Sequence, residues 1–295
     1  MKVVAKTFSG NSFVYTKITK ALSDYAPEGI EFVNSTKKAD LAILHINGRF
    51  NQFSRYAEKL KNAGKKYIVA QYCLRSTRYP HTNKWMDLWA NAEMVWSYYP
   101  LNDYIKEEGG NFVIPNFYQS PLGAEEKLFS NQGNENKQFV IMTSGWDTSR
   151  GDAESIYEIM KAASLTGNKV FHLGKTHYDF SNVTAESGIT DLELASRIRS
   201  CKYVAALRRT EAFEIPAVEG LFCGVRPILF DRPHYRLWYD KCGIFIKESA
   251  PEKVVKDLVK IFQSDAPKPL TQDERNEAVE MFNWKRIVTE FWSRV

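Results

Sequence analysis

The chain has 295 residues, 44% of them hydrophobic and 25% charged, which suits two domains of ordinary size and is too long for one small core. No run approaches the ~18–20 uninterrupted apolar residues of a membrane helix, and MKVVAKTFSG lacks the basic end and apolar run of a signal peptide. The four cysteines (Cys73, Cys201, Cys223 and Cys242) have no C-x-x-C spacing, which argues against a zinc site or disulfide framework and suits a cytoplasmic protein.

Net charge is +5, unevenly spread. Residues 1–90 hold 15 Lys+Arg against 6 Asp+Glu, whereas residues 116–295 hold 24 against 25. A field of one sign on one domain attracts a partner of the other, unless it serves only as a solvated surface.

Short apolar runs alternate with helical patterns from the first residue onward. Val3–Phe8, Leu41–Ile46, Tyr67–Tyr72, Met94–Tyr98 and Phe112–Ile114 are expected strands. Between them lie amphipathic segments such as Phe53–Leu60, where Phe53, Tyr56, Ala57 and Leu60 recur at helical spacing. The polar stretch 121–138 reads as a linker. The alternation then restarts with strands at Phe139–Thr143, Lys169–Leu173, Tyr203–Leu207, Pro227–Phe230 and Gly243–Ile246. Helices are expected over Ala153–Leu165, Asp191–Arg199, Pro216–Cys223 and Pro251–Phe262, with a last helical stretch from Thr271 to Val295. Strand, helix, strand repeated in this way means parallel sheets with helices on both faces. The expected fold is α/β: two Rossmann-like domains facing a cleft, with ligands beyond the carboxyl ends of the strands. The expected divisions are 1–118, 119–281 and a closing helix at 282–295 that returns to the first domain.

The most informative stretch is EAFEIPAVEGLFCGVRPILFD, residues 211–231. It follows the strand YVAAL and opens a helix with Pro216, a residue suited to the first helical turn. Amides at such a helix start favour a phosphate or sugar oxygens. Glu211 sits in the loop, and Glu219 sits in the helix among Ala217, Val218, Leu221 and Phe222. A carboxylate there is costly unless something donates to it, and a ribose diol is one such donor. The plainer alternative makes Glu219 an exposed helix residue and Glu211 a loop charge.

This run resembles the signature E-G-F-G-L-P-x-x-E-A-x-x-x-G-x-P of the retaining, family 4-like glycosyltransferases of GT-B fold. Glu211, Phe213, Pro216, Glu219, Gly224 and Pro227 stand at matching positions. FVIPNFY (112–118), VIMTSGW (140–146), VFHLG (170–174) and FNWKRIVTEFW (282–292) are similar to further family segments. The resemblance implies a hexosyl- or pentosyltransferase taking sugar from a nucleotide diphosphate with retention. Glu219 would hold the ribose, Glu211 would contact the transferred sugar, and amides of Phe213, Glu214 and Ile215 would face sugar and diphosphate. Gly145 and Gly174 fall at the turns after the first two strands of the donor domain. The family places an Arg where Trp146 stands, and Arg150 takes the place of its following Lys. Arg150 can supply a phosphate fork; Trp146 cannot, so one donor-phosphate cation is missing or comes from elsewhere. No D-x-D occurs, which suits transfer without a metal or other cofactor.

In the first domain, ADLAILHINGRF (39–50) resembles the family strand ending H-x-H, with His45 at the first histidine and Asn47 at the second. Gly10 resembles its glycine loop, where backbone approaches the donor. The family binds its acceptor in this domain, here the basic one. In CLRSTRYPHTNKW (73–85), Arg75, Arg78, His81 and Lys84 are interleaved with Tyr79 and Trp85, a mixture suited to phosphates and unstacked bases. A polyanionic acceptor is expected, led by a hydroxymethylated base in DNA. An anionic glycolipid or polysaccharide met at a membrane surface is the alternative. A nucleotide-sugar epimerase and a non-catalytic nucleotide-sugar-binding protein are further alternatives.

Overall fold

A computed structural model describes residues 1–8, 13–46, 50–72, 81–131, 136–145, 154–209, 213–264 and 269–295, with backbone alone at 13 and 81–84. The chain divides into two compact units. The first comprises Met1–Leu122, Glu211–Phe213 and Trp284–Val295, and the second Gly123–Thr210 and Glu214–Asn283.

The first unit runs β1 (Lys2–Lys6), α1 (Phe13–Asp24), β2 (Glu31–Phe32), β3 (Leu41–Ile46), α2 (Phe50–Asn62), β4 (Lys66–Gln71), α3 (His81–Ala90), β5 (Met94–Ser97), α4 (Leu101–Glu107) and β6 (Phe117–Gln119). Its strands form one parallel sheet in the order β2-β1-β3-β4-β5-β6. All six residues of β3 are buried, as expected of a central strand covered on both faces. On α2, Phe53, Ala57 and Leu60 are the buried residues, and Lys59 and Lys61 lie in its last turn, where the helix dipole favours them.

The second unit runs β7 (Phe139–Ser144), α5 (Ile156–Leu165), β8 (Val170–Leu173), β9 (Val183–Glu186), α6 (Asp191–Arg199), β10 (Cys201–Ala206), α7 (Ile215–Phe222), β11 (Arg226–Phe230), α8 (Pro233–Tyr239), β12 (Ile244–Ile246), α9 (Pro251–Gln263) and α10 (Gln272–Met281). Its parallel sheet has the order β12-β11-β10-β7-β8-β9. The strand order reverses between β7 and β10, and the crevice at such a reversal is where α/β sheets receive ligands. A capping box between Thr190 and Glu193 starts α6, and another between Thr271 and Glu274 starts α10.

The final helix, α11 (Trp284–Trp292), belongs to the first unit. Trp284, Ile287, Val288, Phe291 and Trp292 are buried at i, i+3, i+4, i+7 and i+8, one face of a helix. Trp292 Nε1 donates to the Leu22 carbonyl at 3.0 Å, and the Phe291 ring meets Trp96. The closing helix therefore docks on the first unit, as expected. None of the helices among the described residues is long and apolar enough to cross a membrane.

Four expectations need correction. Residues 112–114 are not a strand: Pro115 has no N–H to give a ladder, and pairing begins at Phe117. The Ile114 amide instead donates to Asn102 Oδ1 at 2.8 Å. The stretch 121–138 is not a free linker, since the Ala124 amide donates to the Phe282 carbonyl at 3.2 Å and Phe129 is buried. The segment from Thr271 to Val295 is two helices, broken where Asn283 bridges to Ala124. Trp85 is no exposed stacking platform. It lies on α3, 1% exposed, edge-on to Phe50 at 4.7 Å and stacked near Trp89.

Candidate functional site

The carboxyl ends of β7, β8 and β10 bring the second unit's candidate residues together. Gly145, with φ 143°, follows β7, and Gly174, with φ 140°, follows β8. Register pairs Ser144 with Leu173, so the two turns leave the sheet side by side. Only glycine fits at either: a Cβ on Gly174 would stand 2.3 Å from the Gly145 carbonyl oxygen, and one on Gly145 would stand 1.3 Å from Glu154 Oε2. His172 is fully buried beneath them.

On the other side of the reversal, β10 pairs Val204 with Met142. Continued two residues, this sets Ala206 beside Ser144, so Arg208 emerges level with the glycine turn. Arg208 is 31% exposed. Its Nη2 stands 2.7 Å from Glu154 Oε1 and its Nε 3.0 Å from Glu214 Oε1. The second contact is an ion pair without hydrogen-bond alignment, since Glu214 Oε1 and Glu154 Oε2 accept no hydrogen bond among the described residues. Burial raises the Glu154 carboxyl above its usual range, Arg208 opposes this, and repulsion from Glu214 adds to it.

Glu214 is the N-cap of α7, with φ −94° and ψ 92°, and its side chain does not cap the helix. Pro216 lies in the first turn. Gly220 lets α7 lie against β10, because a Cβ there would stand 2.8 Å from Val204 Cγ2. This close approach fixes where the helix start points. Ile215 is buried, and Glu219 is 3% exposed inside the apolar face of α7. The reading of Glu219 as an exposed helix residue is therefore excluded.

The next arginine does different work. Arg209 Nη2 stands 2.7 Å from Glu158 Oε1, whose side chain is wholly buried, and its Nη1 donates to the Ser249 carbonyl at 3.0 Å. It ties β10 to α5 inside the unit.

Phe213 is grouped with the first unit, its ring 5.1 Å from that of Tyr98. His45 also lies in the first unit, at the end of β3. Its Nε2 is 3.2 Å from Thr19 Oγ1 and its Nδ1 2.9 Å from Tyr72 Oη. Burial lowers its pKa to about 4, so the imidazole is neutral at physiological pH. It borders a cavity of about 460 Å³ that Lys6, Thr7, Tyr15, Thr19 and Asn34 also line. His81 and Lys84 fall in α3, where the backbone alone is described. Gly10, Asn47, Arg75, Arg78, Arg150 and Glu211 lie outside the described residues.

The structure thus joins Gly145, Gly174 and Glu214 in one place and leaves His45 in another unit. Arg208 and Glu154 do not stand out in the sequence. Their available signal is position: Arg208 is the second residue after a strand that points at the candidate loop.

No family model matches the chain, and no curated protein matches it. Solved structures do. The second unit's strand order and glycine turns are those of a Rossmann-like domain, and the chain as a whole has the α/β fold of GT-B glycosyltransferases. Sucrose-phosphate synthase from Thermosynechococcus elongatus is similar over 99% of this chain and 97% of that one, with TM-score 0.75 and 12% identity. Anabaena HepE, solved with UDP and glucose, is similar over 100% of both chains, with TM-score 0.76 and 10% identity. AviGT4, a glycosyltransferase involved in avilamycin A biosynthesis, is similar over 99% and 96%, with TM-score 0.62 and 12% identity. At such identities the likeness is one of fold.

Proposed function

We propose that the chain is a glycosyltransferase whose second unit binds a nucleotide-diphosphate sugar, with UDP-sugars the first donors to test. The observation that carries this is the meeting of the two glycine turns and the start of α7, with its buried Glu219, at the strand-order reversal of the second sheet. The full-length likeness to a protein solved with UDP and glucose supports it.

In this proposal Glu219 accepts hydrogen bonds from the ribose hydroxyls, and Glu211 contacts the transferred sugar. Amides of Phe213, Glu214 and Ile215 face the sugar and diphosphate, and Arg150 takes charge that grows on the leaving diphosphate. The anomeric carbon–oxygen bond to the diphosphate breaks, and the acceptor oxygen bonds to that carbon on the same face. The acceptor's proton passes to the departing phosphate. Transfer is metal-independent and retaining.

For the acceptor we propose a polyanion, with a hydroxymethylated base in DNA ahead of an anionic glycolipid or polysaccharide. Its support is the surplus of cations over residues 1–90, now without help from Trp85. The test is a panel of UDP- and other nucleotide-sugars, scored for hydrolysis and for transfer to hydroxymethylated DNA. A chain that neither binds a nucleoside diphosphate nor cleaves any nucleotide-sugar is not a transferase.

A further inference from the structure

We infer that Arg208 is the cation that meets the donor's diphosphate, and that Glu154 and Glu214 are internal counter-ions holding its guanidinium in place until the diphosphate arrives. The inference rests on the nucleotide-sugar reading of this unit and supplies the second cation that Trp146 cannot.

Three observations converge on Arg208. It leaves β10 level with the Gly145 turn, at the reversal of strand order where ligands enter such sheets. Its guanidinium spans from Glu154, which lies against Gly145, to Glu214 at the start of α7. It therefore occupies the gap between a glycine turn and a helix N-terminus, two elements that each favour an anion. Finally, the two carboxylates are only partly satisfied. They share one guanidinium, and each keeps an oxygen that accepts no hydrogen bond among the described residues. Arg209, beside it, instead holds a wholly buried partner.

A diphosphate offers the planar guanidinium a more highly charged bidentate partner than a carboxylate does. Its arrival places further negative charge beside Glu154, so Glu154 takes a proton from solvent. The carboxylic acid then donates to a phosphate oxygen in place of repelling it. Among the described residues, the charged groups that act on Glu154 are Arg208 and Glu214. Burial and repulsion from Glu214 already raise the Glu154 carboxyl, which readies it to take that proton.

The test is calorimetric titration of the whole chain with UDP, and with uridine by ligand-observed NMR. Arg208→Gln should weaken UDP at least ten-fold and leave uridine unchanged. Glu154→Gln should tighten UDP several-fold, because its amide donates as the protonated acid does. It should also remove part of the proton uptake that the wild type shows between buffers of different ionisation enthalpy. The double variant Arg208→Gln/Glu154→Gln carries one buried charge fewer than Arg208→Gln, so it folds where the single variant does not, and it should stay weak for UDP. A double variant that regains wild-type UDP affinity would show that Arg208 only neutralises Glu154, and would overturn the inference. An Arg208→Gln chain that binds UDP as the wild type does would overturn it too, while leaving the nucleotide-sugar reading intact. A wild type that binds neither UDP nor uridine removes both.

Discussion

Replacing Arg209 by Met would strand the Glu158 carboxylate, whose side chain is wholly buried in α5. Arg209 Nη2 stands 2.7 Å from Glu158 Oε1, its Nη1 donates to the Ser249 carbonyl at 3.0 Å, and its guanidinium lies 5.4 Å from the Phe230 ring centre. Glu158 Oε2 accepts no hydrogen bond among the described residues, so little else holds the charge. Breaking such a pair from one side costs about 3–5 kcal/mol. At about 2–4 °C per kcal/mol for a unit of this size, the unfolding midpoint should fall by roughly 6–20 °C. Glu158→Gln should cost less, about 1–3 kcal/mol, because the partly exposed Arg209 can find water. Changing both, Arg209→Met with Glu158→Leu, should regain most of the loss by removing the stranded charge. Scanning calorimetry reads the midpoints, and hydrogen exchange in α5 and β10 peptides identifies the unit that opens. A single variant as stable as the wild type, or a double variant no better than the single, would refute the reasoning.

Other predictions concern binding and pH. Glu219→Gln should weaken donor binding by about 1–3 kcal/mol, since an amide receives the ribose hydroxyls less well than a carboxylate does; unchanged affinity by calorimetry removes Glu219 from the site. His45 has a folded pKa of about 4 against 6.5 unfolded, so the unfolded chain binds the extra proton in that window. Stability is therefore full above pH 6.5 and falls by up to about 3 kcal/mol as pH drops to 4. His45→Gln should flatten the melting-versus-pH slope of the first unit, leaving that from His234, also lowered to about 4, in the second; an unaltered first-unit slope contradicts the assignment. Neutralising Arg75, Arg78 and Lys84 together should flatten the salt dependence of DNA binding by about 0.9 for each phosphate no longer neutralised. Absence of DNA retardation at low salt, with no binding to anionic vesicles, would leave the polyanion proposal without support.

Much of the fold was legible in the sequence because its signals are local. β3, β7, β10 and β11 are mostly apolar runs, the pattern of parallel strands covered on both faces. The start of α6 follows from Thr190 and Glu193, three positions apart, and the buried face of α11 from its spacing. β9 carried no such signal, being a half-exposed edge strand without an apolar run. Trp85 among cations looked like a platform for bases, and only packing of α3 against Phe50 of α2 made it core.

Around the candidate site the division is sharper. Gly145, Glu214, Pro216 and Glu219 could be picked out because a strand, a turn and a helix start follow one another along the chain. What the two adjacent arginines do could not. Arg208 and Arg209 have the same chemistry and the same neighbours in sequence. Arg209 is engaged by a buried carboxylate 51 positions away, whereas Arg208 is shared between two carboxylates beside a glycine turn. Secondary structure answers to residues within about four positions, but a charge answers to whatever the fold places within a few ångströms and to how much water remains there. The tertiary structure alone decided which arginine became part of the scaffold and which stands at the mouth of the sheet.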